Sequence, residues 1–146
     1  MLRPIVALVL VTALCAGCTP RALHDSSPPA APSQPVVAKS QFEVIAQYKL
    51  TVVGGAETTT VVLPANLSEG PEWGTVQAAC LASGYDLRPY AGRRVQVTQQ
   101  PLSDRYQGQR SRLLVITYDG RLVGACALVD GYHPPTLALE DFVRGK

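Results

Sequence analysis

The chain has 146 residues and a nearly balanced charge, with 13 Lys and Arg against 11 Asp and Glu and a formal net charge of +2. This balance lacks the basic excess that marks nucleic-acid-binding proteins, so we expect no nucleic acid partner. Hydrophobic residues make up 47% of the sequence, which is enough to build a core. The length fits a single domain once any processed segment is removed.

Residues 1–17 have the layout of an export signal. Arg3 and the free amine make a positive start, and an apolar run follows over residues 5–14. A run of ten residues is too short to span a bilayer, which needs about 20. Small residues then precede Cys18, as they do at the end of a cleaved signal peptide. We therefore predict that residues 1–17 are removed.

The end of this signal reads Leu-Cys-Ala-Gly-Cys over residues 14–18. It resembles the lipobox of bacterial lipoproteins, which usually has Leu-(Ala/Ser)-(Gly/Ala)-Cys. The departure is Cys15, which stands where the lipobox has Leu. The resemblance implies that Cys18 carries a diacylglyceryl thioether, begins the mature chain and holds the protein at the membrane. The alternatives are an ordinary signal peptide, hence secretion, or an uncleaved anchor.

A tether is predicted to follow the lipidated cysteine. Residues 18–39 are rich in Pro, Ser and Ala and show no helical or strand periodicity. Such a segment cannot bury enough apolar surface to offset its ordering entropy, so we expect a semi-rigid spacer. His24 lies within it and is expected to be solvated. The folded domain should then occupy residues 40–146.

The domain is predicted to open with a capped helix and a hairpin. Ser40 and Glu43 make a capping box, and four apolar residues fall on one helical face. Those residues are Phe42, Ile45, Ala46 and Leu50. Gly54 and Gly55 then separate two β-branched runs, residues 49–53 and 57–64, which indicates a β-hairpin.

A second helix should begin at Pro71, whose missing N–H is harmless in a first turn. Its predicted apolar stripe consists of Trp73, Val76, Ala79 or Cys80, and Leu81. Gly84 suits the left-handed position beyond the helix end, with Tyr85 packing back.

Strands fill most of the remaining sequence. Val95 and Val97 alternate with polar residues, and Asp119 and Gly120 form a type I′ turn between two apolar runs. Residues 133–146 read as a loop followed by a short helix or strand. The predicted fold class is α+β, a mainly antiparallel sheet of about five strands with two packed helices in the order α-β-β-α-β-β-β.

Turn glycines and their neighbours form a recognisable pattern in the second half of the chain. The residues of this pattern are Gly84, Tyr85, Asp86, Leu87, Tyr90, Gly92, Arg93 and Gly124. Through this pattern, residues 42–130 resemble a domain-of-unknown-function family found in membrane-anchored Gram-positive proteins. Ala125 and Cys126 stand where that family usually has Gly and Asp. The resemblance implies a fold and a membrane-attached setting, and it implies no activity.

Two cysteines remain after the signal, and two interpretations fit them. Cys80 and Cys126 form a disulfide in an exported protein, or they are two buried free thiols. A small envelope hydrolase or thiol enzyme would use Cys126 or Cys80 with His133. The sequence contains no catalytic constellation, Gly-rich phosphate loop or metal-ligand cluster. We therefore predict no cofactor and no metal, and we do not expect an enzyme.

The charge is unevenly distributed, because residues 88–121 hold seven arginines and two acidic residues. One interpretation is that these charges keep strand edges soluble. The other is a surface for an anionic partner, with Arg94, Arg105, Arg110 and Arg112 as candidates in a region predicted to contain a mobile polar loop, residues 99–112. Arginine's planar fork suits phosphate and carboxylate. We therefore expect a lipid-anchored accessory or binding module at the outer face of the cytoplasmic membrane, with an anionic envelope polymer or a protein as partner.

Overall fold

The computed structural model describes residues 38–146. The predicted signal peptide, Cys18 and residues 18–37 of the predicted tether lie outside the described residues. Within the described part, no helix combines the length and apolarity that crossing a membrane requires.

The first helix, α1 (Gln41–Gln47), begins as predicted. The Glu43 N–H donates to the Ser40 hydroxyl oxygen over 3.2 Å, and the Glu43 carboxylate accepts from the Lys39 N–H over 2.6 Å. The apolar face was predicted incorrectly at Phe42, which is 83% exposed, and at Ala46, which is also exposed, whereas Val44 is fully buried.

The predicted hairpin around Gly54 and Gly55 is wrong. The first strand, β1 (Glu57–Val62), pairs antiparallel with β2 (Arg94–Tyr106) instead. The preceding residues, 49–53, run beside the far end of β2, where Val52 forms an isolated bridge with Leu102.

Helix α2 (Pro71–Ala82) confirms the predicted start and end. Gly84 takes a φ of 89°, and the Tyr85 N–H donates to the Cys80 carbonyl over 2.8 Å. The predicted apolar stripe of this helix is wrong at Leu81, which is 48% exposed. The buried residues are Val76, Ala79 and Cys80.

The sheet is an antiparallel meander in the order β1-β2-β3-β4-β5. Its last three strands are β3 (Gln109–Tyr118), β4 (Arg121–Val129) and β5 (Thr136–Leu137), and helix α3 (Leu139–Gly145) ends the chain. Residues 113–116 of β3 are all buried. Since successive residues point to opposite faces, both faces of this central strand are covered.

The α+β class with one antiparallel five-stranded sheet is confirmed. The order of elements differs from the prediction in two details. The described residues form three helices, where two were expected. The sheet has five strands because it includes β5, whereas the expected first strand of the early hairpin is not one of them.

The polar stretch at residues 99–112 belongs to a long hairpin, so the prediction of a mobile loop was wrong. Strands β2 and β3 pair through this stretch as far as Tyr106 and Gln109. The turn residues Gln107 and Gly108 have φ values of 48° and 82°. Asp119 and Gly120 repeat this geometry with 48° and 73°, which confirms the predicted type I′ turn.

Candidate functional site

A concave feature lies at the end of the β2–β3 hairpin. It is an open groove of about 560 Å³, which we call the arginine groove. It is lined by Val53, Pro101, Leu102, Ser103, Arg105, Arg110, Ser111, Arg112 and Asp130. Three of the four arginines singled out in the sequence therefore meet in one place.

The strand register explains how these arginines come together. Arg105 of β2 lies directly opposite Arg110 of β3, and directly opposed residues of an antiparallel pair share a face. Arg112 is two residues beyond Arg110, so it points to the same face. A register shift between Leu102 and Arg105 is typical of a β-bulge, which bends a strand and redirects its side chains.

The three guanidinium groups differ in what they contact. Arg112 donates to the Gln99 side-chain oxygen over 2.7 Å and to Asp130 over 2.8 Å. Its Nε atom is buried and has no hydrogen-bond partner in residues 38–146. Arg105 donates to the Gly108 carbonyl over 3.1 Å. The exposed side chain of Arg110 makes no hydrogen bond or ion pair within the described chain.

The groove is therefore positively charged. Asp130 is the one carboxylate among its described lining residues, and Arg112 already contacts it. Asp104 lies nearby in sequence, but its carboxylate accepts from the Thr51 N–H over 2.6 Å and from Lys146 over 3.1 Å. Arg105 and Arg110 thus face each other as like charges, an arrangement that costs stability and that a bound anion would relieve.

Arg94 does not belong to this site. It begins β2 and lines a separate depression with Asp119 and Gly120. At about 3.3 Å per residue, roughly 36 Å of strand separates Arg94 from Arg105. Arg94 therefore lies apart from the other three predicted arginines, which the structure brings together.

The structure also brings the two cysteines together. Cys80 of α2 and Cys126 of β4 are free thiols and are fully buried. The neighbouring Cys80 thiol, together with burial, raises the pKa of the Cys126 thiol well above its ordinary range. The structure thus has the free-thiol form, and the disulfide stays a prediction.

The geometry gives little support to a thiol enzyme. His133 is exposed in the β4–β5 connection, and in the described region no hydrogen bond joins it to either cysteine. A buried thiol with a raised pKa is a poor nucleophile, because the thiolate is the reactive form. Residues 38–146 also contain no cluster of three His, Cys, Asp or Glu that could hold a metal ion.

Sequence reasoning missed Asp130 and the wall formed by Val53 and Pro101. The carboxylate of Asp130 reaches the groove only because β4 pairs beside β3, as the Asp130 N–H bond to the Arg110 carbonyl shows. One local signal was available in the sequence. A two-residue hairpin turn at Gln107 and Gly108 would place Arg105 opposite Arg110.

No protein-family model, no curated protein and no solved structure matches this chain. The resemblances to the lipobox and to the Gram-positive domain family therefore stay predictions. Any function has to be argued from the described residues, and the arginine groove is their most distinctive chemical feature.

Proposed function

We propose that this chain is an exported, lipid-anchored binding module that takes an acidic polymer of the cell envelope in the arginine groove. The observation that carries the proposal is the opposed pair Arg105 and Arg110, two guanidinium groups on one face whose side chains contact no carboxylate in residues 38–146. Each guanidinium can make charge-assisted hydrogen bonds to a carboxylate or phosphate. An anion held between them would remove their mutual repulsion.

The shape of the site favours a polymer over a lipid surface. The cations line a concavity, whereas a helix that lies on a bilayer has a basic polar face and buries its apolar face in the headgroup boundary. A chain with repeated charges can place one acidic group in the groove and keep others nearby. This multivalency raises the overall affinity of a weak individual contact.

The predicted anchor would place the groove near the envelope. A diacylglyceryl group on Cys18 supplies the two acyl chains that stable attachment requires. The tether, at about 3 Å per residue in an extended conformation, would let the domain reach about 60 Å from the membrane. The intact mass of protein from the membrane fraction tests this part. We expect a chain that starts at Cys18 and carries a lipid adduct, and an unlipidated chain would argue for secretion.

A charge-matched pair of double variants tests the groove. Arg105→Ser with Arg110→Ser removes two guanidinium groups from the groove, and Arg94→Ser with Arg121→Ser removes two exposed ones outside the groove. Polygalacturonate is the probe, with the full chain and affinity electrophoresis. Hydrogen bonds to charged groups contribute about 1.5–3 kcal/mol each, so we expect at least a tenfold loss for the first double variant only. Added salt should weaken binding by the parent chain.

Two outcomes would contradict this proposal. Equal losses in both double variants would mean that only net charge matters. Tighter binding to phosphatidylglycerol vesicles than to polygalacturonate would mean that the groove docks on a membrane surface instead.

A further inference from the structure

A second concavity lies on the same face of the sheet as the arginine groove. It has a volume of about 260 Å³ and lies between α2 and strands β1 to β5. We call it the Trp73 hollow. Its lining residues are Thr59, Val61, Glu72, Trp73, Thr75, Val76, Val97, Gln99, Leu114, Leu128, Pro135 and Thr136.

The register links the hollow to the groove. Arg112 pairs with Leu128, and Leu114 of the hollow is two residues beyond Arg112 on β3, so all three side chains belong to one face. The contact between them is direct, because Arg112 of the groove donates to the side-chain oxygen of Gln99 in the hollow over 2.7 Å. One ligand could therefore touch both.

The hollow holds polar groups that are free to bind. Thr136 is only 5% exposed, and its hydroxyl has no hydrogen-bond partner in the described chain. A buried hydroxyl without a partner is unfavourable. Gln99 uses its oxygen for Arg112, which leaves its amide nitrogen as a donor. Glu72, exposed at the start of α2, offers acceptor oxygens.

The other walls are apolar and aromatic. Val76, Val97 and Leu114 are buried around the hollow, and the indole of Trp73 is half-buried. Drug-sized ligands occupy sites of about 300–1,000 Å³, so this hollow suits a single ring. A pyranose ring fits this chemistry, because its C–H face packs on indole while its hydroxyls bind donors and acceptors. A purely apolar ring would leave the Thr136 hydroxyl unpaired.

We infer that the Trp73 hollow binds one acidic sugar unit, a pyranose with a carboxylate or phosphate group, whose ring lies against Trp73 and whose charge is held by Arg112. This inference rests on the proposed function, since it names the sugar unit of the acidic polymer. The groove would take the next charge along the polymer through Arg105 and Arg110.

Trp73 is the only tryptophan in the chain, so its fluorescence reports on the hollow directly. The full chain is titrated with glucuronic acid, glucose 6-phosphate, glucose and inorganic phosphate. We expect a saturable change in Trp73 fluorescence with at least one of the acidic sugars. The acidic sugar that binds more tightly identifies carboxylate or phosphate as the charged group. Glucose should bind at least about tenfold more weakly, because it lacks the charge-assisted bond.

Three variants assign the contacts. Thr136→Val keeps the side-chain shape and should weaken acidic-sugar binding about tenfold, while Thr117→Val, on β3 outside the hollow, should leave binding unchanged. Arg112→Gln should make glucuronic acid and glucose bind alike. The double variant Arg105→Ser with Arg110→Ser should bind glucuronic acid within about twofold of the parent chain's affinity. The same double variant should lose binding to polygalacturonate.

The outcomes separate this inference from the proposed function. If polygalacturonate binds the Arg105 and Arg110 double variant normally while acidic sugars still change the Trp73 fluorescence, the proposed function of the groove is wrong. The inference that the Trp73 hollow binds an acidic sugar is then retained. The hollow is rejected if neither acidic sugar changes the signal, if glucose binds as tightly as the acidic sugars, or if inorganic phosphate alone reproduces the response.

Discussion

Replacing Arg110 with Thr should leave the protein as stable as before, or slightly more stable, although it removes a charged residue from a strand. The Arg110 side chain lies opposite Arg105 and makes no hydrogen bond or ion pair in the described chain. Directly opposed like charges cost about 0.2–1 kcal/mol, and Thr is favoured in strands. We expect the free energy of unfolding to rise by 0 to about 1 kcal/mol.

Urea unfolding of the full chain, followed by circular dichroism, measures this difference. Arg121→Thr is the matched control, because Arg121 is also exposed and lies opposite the uncharged Tyr118. Its effect should stay within about 0.5 kcal/mol. The advantage of Arg110→Thr over the control should shrink as salt screens the opposed charges. A loss of more than about 1 kcal/mol relative to the control would refute the argument that Arg110 is held at a cost for binding.

Three further variants test the fold. Gly124→Ala would place a Cβ 2.8 Å from the buried Leu87 side chain. The free energy of unfolding should therefore fall by about 1–3 kcal/mol. An unchanged midpoint of urea unfolding would show that the added methyl group fits. Ser40→Ala should destabilise α1 by about 1 kcal/mol, measured as faster hydrogen exchange of its amides relative to those of the sheet. The guanidinium and backbone N–H of Arg88 hold the pKa of Asp86 below its ordinary 3.8, so its stabilisation is present above about pH 4 and is lost as pH falls through the folded pKa. Asp86→Asn should therefore reduce the loss of unfolding free energy as the pH falls below about 4. An unchanged dependence on pH would mean that other groups cause the loss of stability in acid.

The elements that sequence predicts well are those with strong local signals. Pro71 starts α2, Gly84 ends it, and Asp119 with Gly120 turns the chain between β3 and β4, as expected. Each signal acts through the backbone preference of one or two residues. It needs no information about what packs against the segment.

The early hairpin failed because strand pairing is not local. Residues 57–62 have the β-branched composition of a strand, but they pair with β2, where Val61 meets Val95 and Thr59 meets Val97. The Gly54 and Gly55 pair suggested a nearer partner. Composition can indicate a strand, whereas its partner depends on tertiary packing.

Three arginines of the candidate site were predictable from the sequence, but the other lining residues and the shape were not. The excess of arginine is visible in the sequence, and the spacing of Arg110 and Arg112 places them on one face of any strand. The opposition of Arg110 to Arg105 depends on a turn at Gln107 and Gly108, and Gln is not the Asn or Asp typical of such turns. Asp130 approaches the groove only through the pairing of β3 with β4.

We propose above that an anion binds between the opposed Arg105 and Arg110 at the end of the β2–β3 hairpin. Amide chemical shifts of the uniformly labelled full chain, recorded by NMR during titration with polygalacturonate, locate the binding site without any mutation. We predict that the largest saturable shifts fall on residues 103–112 and on Asp130, with little change near Arg94 and Arg121. Shifts concentrated elsewhere on the domain, or no saturable shifts at low salt, would contradict the claim.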